Sequence, residues 1–254
     1  MKIDLGGKTV LITGASGELG RVIGRTCAQC GADVALHYHR NKDSALKLAS
    51  QIQTMGRRSE VFQADITQVS EIDAMRDAVV NTLGAPQIIV NNAVIQYAPW
   101  QSVLEQSLDD YESQFKSCVM HNVYMIKAFV PYMVKNKYGR VISINTECSM
   151  QMLPNQSAYV AAKRGMDGLL RVLAREVGPD GITVNQVAPG WTMSEKFKNN
   201  KPEGADTYAS TVPMRRMGTD QDIANAVAFL ASDFASFITG AFIPVCGGNV
   251  MPCI

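Results

Sequence analysis

Strand-like and helix-like segments alternate along this chain of 254 residues from one end to the other. Short apolar runs at Lys8–Thr13, Asp33–Tyr38, Ser59–Ala64, Gln87–Asn91, Arg140–Asn145, Ile182–Ala188 and Phe242–Val245 read as strands. Between them, Leu19–Cys30, Asp43–Met55, Ser70–Leu83, Leu108–Lys135, Ser157–Val177 and Asp220–Ser232 repeat apolar residues at helical period. Strands kept apart by whole helices cannot pair as hairpins and need crossovers, so the sheet is expected to be mostly parallel. Right-handed crossovers then place helices on both of its faces. The expectation is an α/β, doubly wound sheet of about seven strands, with residues 1–254 forming one domain. The one long irregular stretch, Trp191–Met217, contains the polar run Asn199-Asn200-Lys201-Pro202-Glu203-Gly204. A polar insertion of this kind in a compact domain reads as a substrate lid over residues 191–217.

Composition removes several classes. Hydrophobic residues make up 46% and charged residues 19%, and the formal net charge is +1. A disordered chain would have fewer apolar residues and more net charge. There is no basic stripe interleaved with aromatics, so nucleic acid is not an expected partner. No apolar run has the length of a membrane span. The N-terminal residues Met1-Lys2-Ile3-Asp4-Leu5-Gly6-Gly7-Lys8 lack an apolar signal core, and the expected location is the cytoplasm. The six cysteines and three histidines show no zinc-ligand spacing, so no metal site is expected. Cys27-x-x-Cys30 has redox spacing, but it falls on the apolar stripe Leu19, Val22, Ile23, Thr26, Cys27, Cys30 and reads as packing.

The turn after the first strand carries the first chemical signal. Thr13-Gly14-Ala15-Ser16-Gly17-Glu18-Leu19-Gly20 joins that strand to the first helix. Glycines there allow a tight turn and close approach of backbone to a pyrophosphate, and the helix N-terminus offers free N–H groups and a positive dipole end. This is the Rossmann arrangement for a dinucleotide. Glu18 departs from it by bringing a carboxylate near the phosphates. At the end of the second strand, His37-Tyr38-His39-Arg40-Asn41-Lys42 holds no carboxylate for a ribose diol. Arg40 and Lys42, with His39 beside them, suit a 2′-phosphate, which favours NADP(H) over NAD(H).

Tyr159 and Lys163 stand four apart at the start of a helical stretch and so share a face. A neighbouring ammonium lowers a phenol's pKa toward neutrality and makes it a usable acid or base. With the Gly-rich turn, these residues occur in the company of Asp65 in Ala64-Asp65-Ile66-Thr67, Asn91-Asn92-Ala93, Asn185, Pro189-Gly190 and Thr239-Gly240, in that order. In this the chain resembles the short-chain dehydrogenase/reductase family, in its one-domain branch of about 250 residues, and is similar to its 3-oxoacyl-carrier-protein reductase-like members.

The resemblance implies roles. Tyr159 would protonate the carbonyl oxygen as hydride arrives, Thr146 would hydrogen-bond that oxygen, and Lys163 would hold the nicotinamide ribose. Gly14, Ser16, Gly17, Glu18, Leu19 and Gly20 would cradle the pyrophosphate. His39, Arg40 and Asn41 would meet the 2′-phosphate, and Asp65 and Ile66 would flank the adenine. Asn91 and Ala93 would line the cofactor, and Pro189, Gly190 and Thr192 would hold its carboxamide end. Relatives pair through the fourth helix and the Tyr159 helix, which implies a homotetramer or homodimer.

The chain departs from the family pattern at several points. Its glycines are spaced as Gly14, Gly17 and Gly20, and Thr146 replaces the usual serine, with Ser149 as the alternative. Cys118 replaces the asparagine of the family's proton relay, and Asn122 lies one turn later on the same face. Val94 and Cys246 replace a Gly and an Asp. Two functions are therefore expected in competition. One is an oxidoreductase that moves hydride between NADP(H) and a carbonyl or secondary alcohol. The other is an NADP-binding relative with impaired catalysis that serves as a sensor or assembly partner. Tyr97, Trp100, Met150, Met152, Trp191, Met193, Phe197 and Tyr208 are the expected pocket wall, suited to a medium-sized, partly apolar carbonyl compound.

Overall fold

The computed structural model describes residues 2–95, 99–194, 197 and 200–251. In chain order its first half runs β1 (Thr9–Ile12), α1 (Glu18–Gln29), β2 (Asp33–Tyr38), α2 (Lys42–Thr54), β3 (Ser59–Gln63), α3 (Val69–Leu83) and β4 (Ile88–Asn91). Then follow α4 (Leu108–Phe115), α5 (His121–Asn136), β5 (Gly139–Ile144), α6 (Cys148–Gln151) and α7 (Ser157–Val177). The last part holds β6 (Ile182–Pro189), β7 (Thr192–Met193), α8 (Ala205–Thr211), β8 (Gly218–Thr219), α9 (Asp220–Ala231) and β9 (Phe242–Val245).

Seven strands make one sheet in the order β3-β2-β1-β4-β5-β6-β9, and every neighbouring pair is parallel. This is the doubly wound Rossmann-like arrangement expected from the alternation. The chain winds outward from β1 to β3, then returns to place β4 on the other side of β1. Such a reversal opens a crevice at the carboxyl ends of β1 and β4, where open α/β sheets bind ligands.

The strands are apolar without a break because both faces are covered. Val10 and Ile12 face a cluster with Ile23 and Cys27 of α1, Leu48 and Ile52 of α2, and Ile223, Val227 and Leu230 of α9. Leu11 and Ile89 face Val79 of α3, Met125 and Phe129 of α5, and Met166 and Leu170 of α7. Cys27 is fully buried in the first cluster and Cys30 packs against its edge, and both are free thiols. Helix α9 begins with a capping box. The Thr219 hydroxyl accepts from the Asp222 N–H, and the Asp222 carboxylate accepts from the Thr219 N–H.

The structure departs from the sequence expectation in three places. The single helix expected over Leu108–Lys135 is broken into α4 and α5 by one wide π turn, Lys116–Met120. A π turn adds a residue without interrupting the apolar face, so the 3.6 period does not reveal it. Helix α6, four residues long, is too short to show any period. The stretch expected to be irregular contains α8 and the small β7–β8 ribbon.

Phe129 is the largest fully buried side chain, in the cluster beneath α3, α5 and α7. Phe129→Ala is expected to lower the free energy of unfolding by about 3–5 kcal/mol. Urea unfolding would show this as a lower midpoint at an unchanged slope.

Candidate active site

At the crevice, the face of the sheet that carries α5 and α7 changes from apolar to polar. Asn91, Ser143 and Gln186 lie side by side on β4, β5 and β6. Ile12 pairs with both Leu36 and Val90, so Thr13 follows between His37 and Asn91. All five of these polar side chains are buried. Buried polar groups need partners, and the crevice is organised by how these find them.

Thr13 and His37 shape the Gly-rich turn. The Thr13 hydroxyl accepts from the N–H groups of Asn92 and Ala93, at 2.9 and 3.1 Å. The Asn92 amide donates back to the Thr13 carbonyl at 2.9 Å. Gly14 sits at φ +67° against Ala93, where a Cβ would come within 3.0 Å of the Ala93 Cα. His37 Nδ1 accepts from the Gly14 N–H at 2.9 Å, and its Nε2 lies 2.9 Å from the Ala64 carbonyl. This fixes a neutral ring with the proton on Nε2. Burial pushes its pKa down to about 4, against the pull of the Ala64 carbonyl.

Ser16 and Gly17 follow in the turn, and Glu18, Leu19 and Gly20 form the first turn of α1. No side chain caps this helix N-terminus. A Cβ on Gly20 would lie 2.3 Å from the Gly14 carbonyl, so the turn closes only over glycine. The result is a backbone cradle with exposed N–H donors, which fits a pyrophosphate. His39, Arg40 and Asn41 lie together between β2 and α2, and Arg40 is exposed. The Asn41 side chain is engaged as the cap of α2, accepting from the Ser44 N–H at 3.1 Å. Asp65 stands 4.0 Å from His39. Partial burial raises its pKa, but hydrogen bonds from the Thr67 N–H and hydroxyl and the charges of His39 and Arg40 outweigh this and hold it down. Ile66 is 7% exposed and packs into the α3 core cluster.

The other half of the row positions Lys163 and Thr146. Asn91 Nδ2 and the Ser143 hydroxyl both donate to Asn122 Oδ1, each at 2.7 Å. Asn122 Nδ2 donates to the Cys118 carbonyl at 2.7 Å. Asn91 therefore faces α5 rather than the open crevice. Asn145, one residue past β5, donates from Nδ2 to the Lys163 carbonyl and to Gln186 Oε1, and accepts from the Thr146 N–H. Thr146 Oγ1 accepts from the Cys148 N–H at 3.2 Å, and its hydroxyl also hydrogen-bonds the Cys148 side chain. The Ser149 hydroxyl is turned to the Thr146 carbonyl at 2.8 Å. Lys163, 4% exposed, donates to the Ile144 carbonyl at 2.6 Å, and its ammonium lies 5.7 Å from the centre of the Tyr159 ring. Burial lowers the Lys163 pKa, with Cys118 opposing. Burial likewise pushes His121 down to about 3, helped by the charges of His37 and Lys163 and opposed by the Ser117 carbonyl.

The Trp100 ring stands 6.1 Å from the Tyr159 ring, tilted by 30°. On the other side, Trp191 and Tyr208 pack edge to face at 5.5 Å beside Pro189 and Gly190. The Thr192 hydroxyl donates to the Gly190 carbonyl at 2.9 Å. Tyr97 lies outside the described residues. Among those described, no cluster of His, Cys, Asp and Glu could hold a metal. No described helix is long and apolar enough to cross a membrane. Sequence reading missed His37 and Asn145, although a histidine closing an apolar strand and an asparagine before Thr146 were visible. It also missed Glu147 and Asn249, for which no local signal existed.

A family model described as enoyl-(acyl carrier protein) reductase matches residues 14–249. The chain is 36% identical over 245 residues to the 3-oxoacyl-[acyl-carrier-protein] reductase FabG of Staphylococcus epidermidis, covering 96% of this chain and 99% of the other. The chain belongs to the short-chain dehydrogenase/reductase family. It is accordingly an oxidoreductase acting on CH–OH or carbonyl groups. Among solved members, a metagenomic blue fluorescent protein in complex with NADPH superposes with a TM-score of 0.90 at 31% identity, covering 98% of this chain and 100% of the other. A 7α-hydroxysteroid dehydrogenase complexed with NADH and 7-oxo glycochenodeoxycholic acid gives 0.91 at 30% identity, covering 99% and 97%. Family membership disfavours the alternative of a catalytically impaired binding protein.

The depressed pKa of His37 links this site to stability. Between its unfolded value near 6.5 and its folded value of about 4, the unfolded chain binds more protons than the folded one. Its contribution, about 3 kcal/mol, is thus whole above pH 6.5 and lost as pH falls toward 4. Urea unfolding from pH 7 down to pH 5 should show falling stability in the wild type and a shallower fall in His37→Gln.

Proposed function

We propose that the protein is an NADP(H)-dependent carbonyl reductase for a medium-sized, partly apolar ketone or aldehyde. The supporting observation is that Asn145 ties Thr146 to Lys163, whose ammonium lies 5.7 Å from the centre of the Tyr159 ring, in a fold whose Gly-rich turn only glycine can close. A bound dinucleotide supplies the hydride. Thr146 donates its hydroxyl proton to the substrate oxygen, with the hydroxyl oriented by the bond it accepts from the Cys148 N–H. Tyr159 delivers the proton that completes the alcohol, or removes it in the reverse direction. Lys163, held by the Ile144 carbonyl, binds the nicotinamide ribose and favours the ionised form of Tyr159. Asn145 positions Thr146 and Lys163 together.

Gly14, Ser16, Gly17, Glu18, Leu19 and Gly20 hold the pyrophosphate in this reading. His39 and Arg40 receive the 2′-phosphate, while Asn41 serves the loop as a helix cap. Asp65 and Ala93 border the adenine half, and Pro189, Gly190 and Thr192 border the carboxamide. Ile66 and Asn91 support these walls from the interior. The absence of a carboxylate at the end of β2 and the cations Arg40 and Lys42 support NADP(H). Trp100 beside Tyr159 supports an apolar substrate. The segment 191–217 acts as the substrate lid. Phe115, Ala158, Ala161 and Ala162 line an apolar groove between α4 and α7, which supports pairing of copies there. We place the protein in the cytoplasm.

NADPH oxidation against a panel of ketones, diketones, 3-oxoacyl thioesters and pterins tests the reading. Tyr159→Phe should cut turnover by about 10²–10⁴-fold while NADPH still binds by fluorescence titration. A variant that keeps wild-type turnover would remove Tyr159 from the reaction. Arg40→Ala should weaken NADPH about tenfold and leave NADH nearly unchanged. Equal weakening of both would remove the basis for NADP(H).

A further inference from the structure

One carboxylate next to the site has no place in the chemistry above. Glu147 follows Thr146 directly and begins the turn into α6, yet it is 3% exposed. A carboxylate so deeply buried is strongly disfavoured unless strong hydrogen bonds replace its water. Both replacements come from far along the chain. Glu147 Oε1 accepts from the Tyr208 hydroxyl at 2.7 Å, and Oε2 accepts from Asn249 Nδ2 at 3.0 Å. Tyr208 belongs to α8, and Asn249 to the turn after β9.

The Tyr208 hydroxyl also accepts from the Trp191 N–H at 2.9 Å. It sits so close to the turn after β6 that a Cβ on Gly190 would lie 2.6 Å from it and 3.0 Å from the Cys246 Cα. The Glu147 N–H in turn donates to the Pro189 carbonyl at 2.9 Å. Two segments, α8 and the turn after β9, therefore meet at the Glu147 side chain, and the Pro189–Trp191 turn is tied to the same place through the Glu147 N–H and the Tyr208 hydroxyl. Burial and the Glu147 carboxylate both raise the Tyr208 pKa, so this phenol stays a donor at any ordinary pH.

We infer that Glu147 is a positioning residue, a buried latch whose two oxygens hold α8 and the C-terminal turn closed over the substrate side of the site. It touches neither substrate nor reacting atoms. Its effect on turnover rests on the reductase reading above, whereas its effect on the two segments does not. Glu147→Ala frees both segments at once. Tyr208→Phe frees α8 and leaves Oε1 unpaired, and Asn249→Ala frees only the turn. Glu147→Gln retains the latch, because its oxygen accepts from Tyr208 and its amide donates to an Asn249 amide turned to accept.

Two measurements test the latch in the whole protein. Hydrogen exchange on the wild type and variants should show faster exchange in both 205–211 and 246–251 for Glu147→Ala, and wild-type exchange for Glu147→Gln. Tyr208→Phe combined with Asn249→Ala should speed exchange in both segments at least as much as Glu147→Ala, because it leaves the carboxylate without either partner, and adding Glu147→Ala to that pair should bring no further acceleration in either segment. Exchange that stays slow in either segment of Glu147→Ala would overturn the latch, as would strictly additive effects. With the best carbonyl substrate, kcat/KM of Glu147→Ala should fall about tenfold, mostly through KM, and recover in Glu147→Gln. A fall carried by kcat alone would overturn the assignment of Glu147 as a wall-positioning residue. If no carbonyl substrate turns over in the wild type, the reductase reading fails while the exchange experiment still decides the latch.

Discussion

Asn122 accepts from Asn91 and Ser143 with one oxygen, and this shared acceptor closes a polar row buried across the carboxyl end of the sheet. A sheet covered on both faces can expose chemistry only where its apolar packing ends, and there each polar group must be satisfied from within. His37 and Thr13 turn that requirement into the shape of the Gly-rich loop. Asn145 and Gln186 turn it into the placement of Thr146 and Lys163. The crevice is thus an outcome of hydrogen-bond accounting at the switch between β1 and β4. The glycines at 14 and 20 permit the close approaches that the accounting demands.

Lys163 shows what the packing asks of a buried charge. Its ammonium is almost fully buried, with the Ile144 carbonyl as its hydrogen-bond acceptor and the Tyr159 ring nearby. Burial lowers its pKa, so the fold holds this charge at a cost in stability. His37 and His121 add to that cost below neutral pH, where both rings resist protonation. Strain of this sort is tolerated where a wide, well-packed sheet supplies the surplus. Sites assembled in this way are stiff, which suits a reaction that depends on orientation.

Most of the fold was legible because each element repeats a pattern of its own. Asp33–Tyr38, Ser157–Val177 and Phe242–Val245 begin and end where their apolar periods do. The π turn at Lys116–Met120 was hidden because it keeps the apolar face intact. That turn also alters the local setting of Cys118, whose carbonyl is taken up by Asn122. The tight turn that needs Gly14 and Gly20 could be read from the motif between β1 and α1, and Tyr159 and Lys163 lie near one another on α7 as their i, i+4 spacing implies. Asn41 and Asn91 could be placed in the right loops but not oriented, because their partners Ser44 and Asn122 are chosen by tertiary packing. Glu147 and Asn249 are 102 residues apart and meet only in the folded chain, so no window of sequence contains their relation.

The central claim is that this crevice transfers hydride directly to a carbonyl carbon while Tyr159 supplies the proton. It is tested most directly with NADPH deuterated at the nicotinamide C4 and the best substrate of the wild-type protein, in ordinary water. The account predicts an alcohol that carries a single deuterium on the former carbonyl carbon, found by mass spectrometry and located by NMR. With both C4 hydrogens of the cofactor replaced by deuterium, an alcohol free of deuterium at that carbon would contradict it.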